Sequence, residues 1–140
     1  MQGSNTVGVM IVVENGWIKK SDYRKFNISK EMSGNDTGSL AEILERRFKH
    51  TEWQLPNLIV VDGGKAQVNI TQKVLREYGY KIVVAGVVKN DKHKPKDIIA
   101  DNTVRNKYEK EILLANAEAH RFAISFHRSR GRSSFLEEER

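Results

Sequence analysis

The chain has 140 residues, a net charge of +6 and no cysteine. This length suits one domain with its own hydrophobic core, and the absence of cysteine excludes disulfides, thiolate metal sites and cysteine nucleophiles. The longest apolar runs, such as residues 58–61, are too short to cross a bilayer, and no secretory leader is recognisable, so the sequence predicts a soluble cytoplasmic protein without membrane contact.

The first predicted elements are an antiparallel pair and a helix. An apolar run at residues 7–14 leads into Asn15 and Gly16, which suit the two positive φ angles of a type I′ hairpin turn. After a polar loop, Ser39 and Glu42 have the spacing of a capping box, and apolar residues then recur at helical spacing.

The middle of the chain predicts a parallel crossover unit. Residues 58–61 form a β-branched run typical of a strand buried on both faces, and the run ends at Asp62 and two glycines. A helical apolar stripe follows and can end at Gly79, before a second β-rich run at residues 82–88.

The last third predicts a long helix. Residues 89–96 are expected to form a basic loop and residues 98–104 a small ribbon. Apolar side chains at steps of four and three then define a buried face over residues 106–128, made of Tyr108, Ile112, Ala115, Ala119, Phe122 and Phe126. The predicted domain spans residues 1–130, with a linker stub at residues 131–140.

The basic residues are clustered. Residues 19–25, 89–96 and 121–132 together hold 12 of the 24 Lys and Arg but 2 of the 18 Asp and Glu. Such clusters suit a phosphate-binding surface, because each neutralised phosphate releases counterions. Three ordinary solvated loops and helix ends are the alternative.

Asp62 is the first candidate functional residue. It ends a buried parallel strand and precedes two glycines, at the edge where α/β sheets bind ligands and a helix N-terminus favours anions. A carboxylate there can hold a divalent cation that in turn holds a phosphodiester. The alternative is a simple strand-to-helix turn in which the carboxylate caps the helix.

His120 is the second candidate. It lies beside the predicted buried stripe of the last helix, on a flank shared with Asn116 and His127. This position suits a metal ligand or a general acid or base on a helix held by packing. A boundary histidine satisfied by its neighbours is the alternative.

Six basic residues are candidates for contacts with phosphate: Lys65, Lys89, Lys92, Lys94, Arg121 and Arg128. Lys65 follows the glycines and Lys89 ends the next strand, so both are expected at the edge that carries Asp62. The Gly-Gly-Lys sequence lacks the upstream glycine and the following Ser or Thr of a Walker A loop, so ATP binding is not supported.

Four segments resemble the C-terminal endonuclease domain of the UvrC family, the nuclease subunit of bacterial nucleotide excision repair. They are residues 2–8 (QGSNTVG), 19–26 (KKSDYRKF), 55–67 (LPNLIVVDGGKAQ) and 118–128 (EAHRFAISFHR). The resemblance runs in order over nearly the whole chain. It implies an α/β fold of the RNase H-like type, with a mixed sheet and flanking helices, and 5′ incision of damaged DNA by the intact family protein.

The resemblance also implies site roles. Asp62 matches a metal-binding catalytic aspartate and His120 matches the catalytic histidine, with Mg²⁺ or Mn²⁺ as cofactor. The implied partners are damaged double-stranded DNA and, for the intact family protein, UvrB and UvrA.

One family feature is expected to be absent from this chain. In the family, a strand before the segment at residues 2–8 carries a first catalytic aspartate in an Asp-Ile-Ser-type motif, whereas this sequence starts at Met1. We therefore expect a fragment, a truncated product or a chain that borrows a strand, with a gap in the sheet next to the strand ending at Asp62 and impaired cutting. The GIY-YIG domain, the UvrB-binding segment and the helix-hairpin-helix pair of the family are also expected to lie outside it.

Two other functions remain open on the sequence alone. A non-catalytic DNA-binding or protein-docking module on the same fold would keep the basic surface without the reaction. A small nucleotide-binding α/β domain is the third possibility.

Overall fold

The computed structural model describes residues 7–29, 31, 34–92 and 94–130, with side chains as far as residue 125. The strands are β1 (Val7–Met10), β2 (Val13–Glu14), β3 (Trp17–Ile18), β4 (Arg24–Asn27), β5 (Leu58–Asp62), β6 (Val83–Lys89) and β7 (Pro95–Ile99). The helices are α1 (Asp36–Phe48), α2 (Lys65–Tyr78), α3 (Asn102–Arg130) and a 3₁₀ turn at Lys20–Asp22. This mixed α/β architecture confirms the predicted fold class. The expected linker at residues 131–140 lies outside the described residues.

The hairpin prediction is confirmed. Asn15 and Gly16 have positive φ angles of 54° and 84°, as a type I′ turn requires. On either side of this turn β2 pairs with β3, and beyond them β1 pairs with β4, both antiparallel. The apolar run that precedes the turn forms two strands rather than one, because the extended pairing is interrupted between Met10 and Val13.

The crossover prediction is also confirmed. β5 and β6 are parallel and α2 connects them, while β7 pairs antiparallel with the other edge of β6. Gly79 ends α2 in the left-handed conformation, with φ 75° and ψ 21°. No helix in the described part of the chain combines the length and apolar character needed to span a membrane.

The pleat of β5 divides the core between two faces of the sheet. Ile59 and Val61 pack with α1 and α2 on one face, whereas Leu58 and Val60 pack with α3 on the other. The strand is therefore covered on both faces, as its unalternating apolar sequence predicts.

The strands form separate ladders that helices hold together. Among the described residues, β5 pairs with β6 alone and β1 pairs with β4 alone. α3 contacts β1 as well as β5 and β6, so this helix joins the β1–β4 pair to the β5–β6–β7 sheet.

The predicted start of α1 is wrong. Its N-cap is Asn35, whose side-chain oxygen accepts a hydrogen bond from the backbone N–H of Gly38 at 2.9 Å. Glu42 does not cap the helix at Ser39. It accepts instead from the hydroxyl of Ser29 at 2.9 Å, which links α1 to the segment after β4.

The predicted ribbon at residues 98–104 is also wrong. The strand β7 occupies residues 95–99, and α3 begins at Asn102 because Asp101 accepts the backbone N–H of Thr103 at 2.8 Å. Within α3, Tyr108 has the non-helical angles φ −120° and ψ 18° and is 37% exposed. The prediction that Tyr108 belongs to the buried stripe is therefore wrong. Ile112 is fully buried, as its place in the stripe predicts.

Candidate functional site

The strand pleat brings Asp62 and Lys89 to the same face of the sheet. Because Leu58 and Val60 pack toward α3, Asp62 also points to that face. Val87 packs in the same cluster, and Lys89, two residues further along β6, reaches the same face through its contact with Asp62. Lys89 Nζ donates to Asp62 Oδ1 at 2.7 Å. Asp62 and Lys89, the last residues of two neighbouring parallel strands, thus form an ion pair.

α3 provides a second donor to the same carboxylate. Asn116 is buried, 5% exposed, and its Nδ2 lies 3.4 Å from Asp62 Oδ1, a long hydrogen bond. The Asp62 side chain is 64% exposed, whereas that of Lys89 is 15% exposed. Both donors use Oδ1, and Oδ2 of Asp62 has no hydrogen-bond partner among the described residues. One carboxylate oxygen is therefore fixed and the other is available.

The turn after Asp62 depends on glycine. Gly63 has φ +153°, which an L side chain rarely adopts, and its N–H donates to the carbonyl of Val87 at 3.0 Å. Gly64 is the N-cap of α2, and its N–H donates to Gln67 Oε1 at 3.2 Å. The helix is therefore capped by Gln67, and the alternative role of Asp62 as a cap is wrong.

His120 lies one helical turn after Asn116. Residues four apart on a helix are neighbours on its surface, so His120 and Asn116 lie on the same side of α3, the side that reaches Asp62. Asn116 is buried and His120 is exposed. No hydrogen bond or ion pair joins the imidazole to another described residue, so it is accessible to a ligand. The side chain of His127, on the predicted shared flank, lies outside the described part of the structure.

The assignment of Asp62 and His120 as metal ligands stays a prediction. Within the described ranges, no three His, Asp or Glu side chains lie close enough together to hold a metal ion. Asp62 is paired with an ammonium group instead. The described residues therefore do not by themselves form a divalent-cation site.

The predicted phosphate-binding residues differ in their surroundings. Lys65 is exposed at the first residue of α2. Lys92 and Lys94 are exposed in the turn between β6 and β7, where their backbone N–H groups donate to Asn90 Oδ1 at 2.9 and 3.0 Å. This turn follows Lys89 at the same sheet end as Asp62. The side chain of Arg128 lies outside the described residues.

Arg121 is engaged with a buried carboxylate that the sequence interpretation missed. Its guanidinium donates to Glu118 at 2.9 Å from Nε and 2.6 Å from Nη2, and the hydroxyl of Tyr23 donates to the same group at 2.8 Å. The bonds from Arg121 and Tyr23 lower the pKa of Glu118 to about 2, against the opposing effect of burial. Burial and the bond to Glu118 raise the pKa of Tyr23. Spacing of three on a helix could suggest Glu118 with Arg121, but Tyr23 is 95 residues away.

The three basic stretches converge around the middle of α3. Tyr23 and Phe122 have ring centroids 5.0 Å apart, and Lys25 Nζ lies 5.6 Å from the Phe122 centroid. These contacts place residues 19–25 beside the third stretch, while Asn116 and Asp62 connect α3 to Lys89. At least one residue of each stretch therefore lies near the segment of α3 between residues 116 and 122.

Comparison with known proteins agrees with this geometry. Residues 1–124 match the family model of the UvrC RNAse H endonuclease domain. A UvrABC system protein C from Clostridium perfringens (strain SM101) is 39% identical over 159 aligned residues, which cover 92% of this chain and 24% of the relative. The protein of the same name from Clostridium botulinum (strain Loch Maree) is 40% identical and covers 96% of this chain and 26% of the relative. The chain spans about a quarter of the length of these curated relatives.

Proposed function

The chain belongs to the UvrC RNase H endonuclease domain family, and from this premise we propose that it is the DNA-cleaving domain of a UvrC-type excision nuclease. The substrate is damaged double-stranded DNA, cut on the 5′ side of the lesion, with UvrA and UvrB as partners of the whole protein in the cytoplasm. The observation that supports this proposal best is the meeting of Asp62 with Asn116, one helical turn from His120.

The described residues suggest a division of roles. Asp62 presents one free carboxylate oxygen at the end of β5, and His120 presents an accessible imidazole, a group suited to general acid or base catalysis. Mg²⁺ or Mn²⁺ belongs to the proposal as the family's cofactor, with Asp62 and His120 as ligands. The described residues supply only part of the ligand set that such an ion needs.

Binding of the DNA backbone is assigned to the basic residues. Lys65, Lys92 and Lys94 are exposed, and the latter two lie on the turn next to the Asp62–Lys89 pair. Contacts of this kind position the duplex without reading its sequence. DNA binding should therefore depend strongly on salt and weakly on base sequence.

The test is incision of a lesion-containing duplex by a full-length UvrC-type protein that carries this domain, with UvrA, UvrB and Mn²⁺. Asp62→Asn and His120→Ala should each slow 5′ incision by about 100-fold or more while leaving DNA affinity unchanged. Lys110→Met, on the exposed side of α3, is the control and should cut normally. Normal incision by either of the first two variants would refute the assigned site.

The ion pair between Asp62 and Lys89 favours a second candidate, a non-catalytic DNA-binding module on the same fold. This function predicts salt-dependent DNA binding with no incision by the unsubstituted protein, and no effect of Asp62→Asn on affinity. The same incision and binding measurements therefore distinguish the two candidates.

A further inference from the structure

Lys89 is held in a defined position beside Asp62. Its side chain is 15% exposed although it ends in a charge, so most of its stem is shielded from water. Its Nζ is 2.7 Å from Asp62 Oδ1, within the range of a charge-assisted hydrogen bond. Asn116 Nδ2, on α3, donates to the same oxygen at 3.4 Å. The positive charge next to Asp62 is thus supplied by the protein itself.

A bound divalent cation would have to share Asp62 with this ammonium group. Two cations on one carboxylate repel each other, and the repulsion is strong where one of them is shielded from water. The free oxygen Oδ2 is exposed, so a cation can approach, but it meets a carboxylate whose charge is already balanced. The absence of a three-ligand cluster among the described residues leaves little to offset this repulsion.

We propose that Lys89 is an internal counter-ion of Asp62 and competes with divalent cations for this carboxylate. This inference rests on the proposed function, since it takes Asp62 to be a cation ligand. On this proposal, Lys89 sets the affinity of Asp62 for divalent cations. The ammonium group pairs with the carboxylate when no cation is bound, and this pairing weakens cation binding. Lys89 then acts through Asp62 and is a positioning residue.

The experiment measures the affinity for Mn²⁺ from the electron paramagnetic resonance signal of the free ion. Lys89→Met keeps an unbranched stem of similar length but removes the charge, so packing is retained. It should bind Mn²⁺ about tenfold more tightly than the unsubstituted protein. Lys89→Gln gives a second test with the same expected direction if the methionine variant does not fold.

Three controls isolate the effect of the charge. Lys89→Arg keeps the positive charge and should bind Mn²⁺ as weakly as the unsubstituted protein. Lys110→Met removes one charge from the exposed side of α3 and should leave the affinity unchanged. Adding Asp62→Asn to Lys89→Met should abolish the gain, because the carboxylate is then absent.

Unchanged or weaker Mn²⁺ binding by both Lys89→Met and Lys89→Gln would overturn the proposal. A gain that survives Asp62→Asn would also overturn it, since the ion would then be bound elsewhere. These outcomes are independent of incision. If the incision assay fails while the Mn²⁺ series behaves as expected, the nuclease proposal is lost and the counter-ion role of Lys89 stands.

Discussion

Among single residues, Glu118 has the most strongly perturbed carboxylate environment of the described chain. Its hydrogen bonds from Arg121 and Tyr23 lower its pKa from 4.5 to about 2. The folded-state pKa is therefore below that of the unfolded chain. Ionised Glu118 stabilises the fold above about pH 4.5, and this stabilisation is lost as the pH falls toward about 2.

Glu118→Gln should accordingly lower the free energy of unfolding at neutral pH by about 1–3 kcal/mol, the usual worth of hydrogen bonds to a charged group. The difference from the unsubstituted protein should shrink as the pH falls below about 4.5, because the native carboxylate then loses its advantage. Urea unfolding at neutral and acidic pH measures both effects. Tyr23→Phe is a graded control, since it keeps the ring contact with Phe122 and loses one hydrogen bond. A difference that stays constant with pH would contradict the assigned role of the charge.

At the scale of elements, the sequence predicts those whose signals are local. The turn at Asn15 and Gly16, the strand that ends at Asp62 and the end of α2 at Gly79 follow from backbone preferences and short-range periodicity. The start of α1 is not predictable in the same way, because Glu42 has a partner from another element, Ser29, which no local pattern reveals.

The contact between β6 and the turn after β5 supports a prediction at this scale. A Cβ at Gly86 would lie 2.5 Å from the carbonyl oxygen of Gly63 and 2.8 Å from Val68 Cγ2, and the first of these atoms is backbone that cannot move aside easily. Gly86→Ala should therefore destabilise the protein by about 1–3 kcal/mol, as overpacking does. Thermal and urea unfolding measure the change.

A glycine in the turn after β5 provides the matched control for this substitution. A Cβ at Gly64 would meet Val88 Cγ2 at 3.6 Å, an ordinary van der Waals distance, and φ there is −98°. Gly64→Ala should therefore cost much less stability than Gly86→Ala. Equal stability losses would show that the close approach of β6 to the Gly63 turn is not what requires a glycine.

At the scale of the whole molecule, the sequence predicts only part of how the candidate site is assembled. The parallel crossover predicted from sequence ends β5 and β6 on the same side, which places Asp62 and Lys89 at one sheet edge. The contact of Asn116 with Asp62 and the bond of Tyr23 to Glu118 could not be derived, because they depend on how α3 lies across both sheets. The predicted contact of Arg121 with phosphate stays a prediction, and the structure adds a pairing of this side chain with Glu118 that the sequence interpretation missed.

Exposed lysines lie both at the sheet end that carries Asp62 and on the side covered by α1 and α2, and the comparison of the two groups gives a prediction about DNA binding. Lys92 and Lys94 are exposed on the turn after β6, at the sheet end that carries Asp62. Lys49 and Lys73 are exposed at the end of α1 and on α2, the two helices that cover the opposite face of the sheet from α3. Replacing either pair by alanine removes two positive charges, but only the first pair lies at the sheet end that carries Asp62.

Each lysine that contacts a DNA phosphate contributes roughly −0.9 to the slope of log affinity against log salt concentration. The variant Lys92→Ala with Lys94→Ala should therefore bind duplex DNA more weakly at low salt and lose about two units of that slope. The control Lys49→Ala with Lys73→Ala has the same net charge and should keep the slope, since it changes only the overall attraction. Fluorescence anisotropy of a labelled duplex over a range of salt concentrations measures both slopes. Equal slopes for the two double variants would place the DNA on another surface of the molecule, away from Asp62.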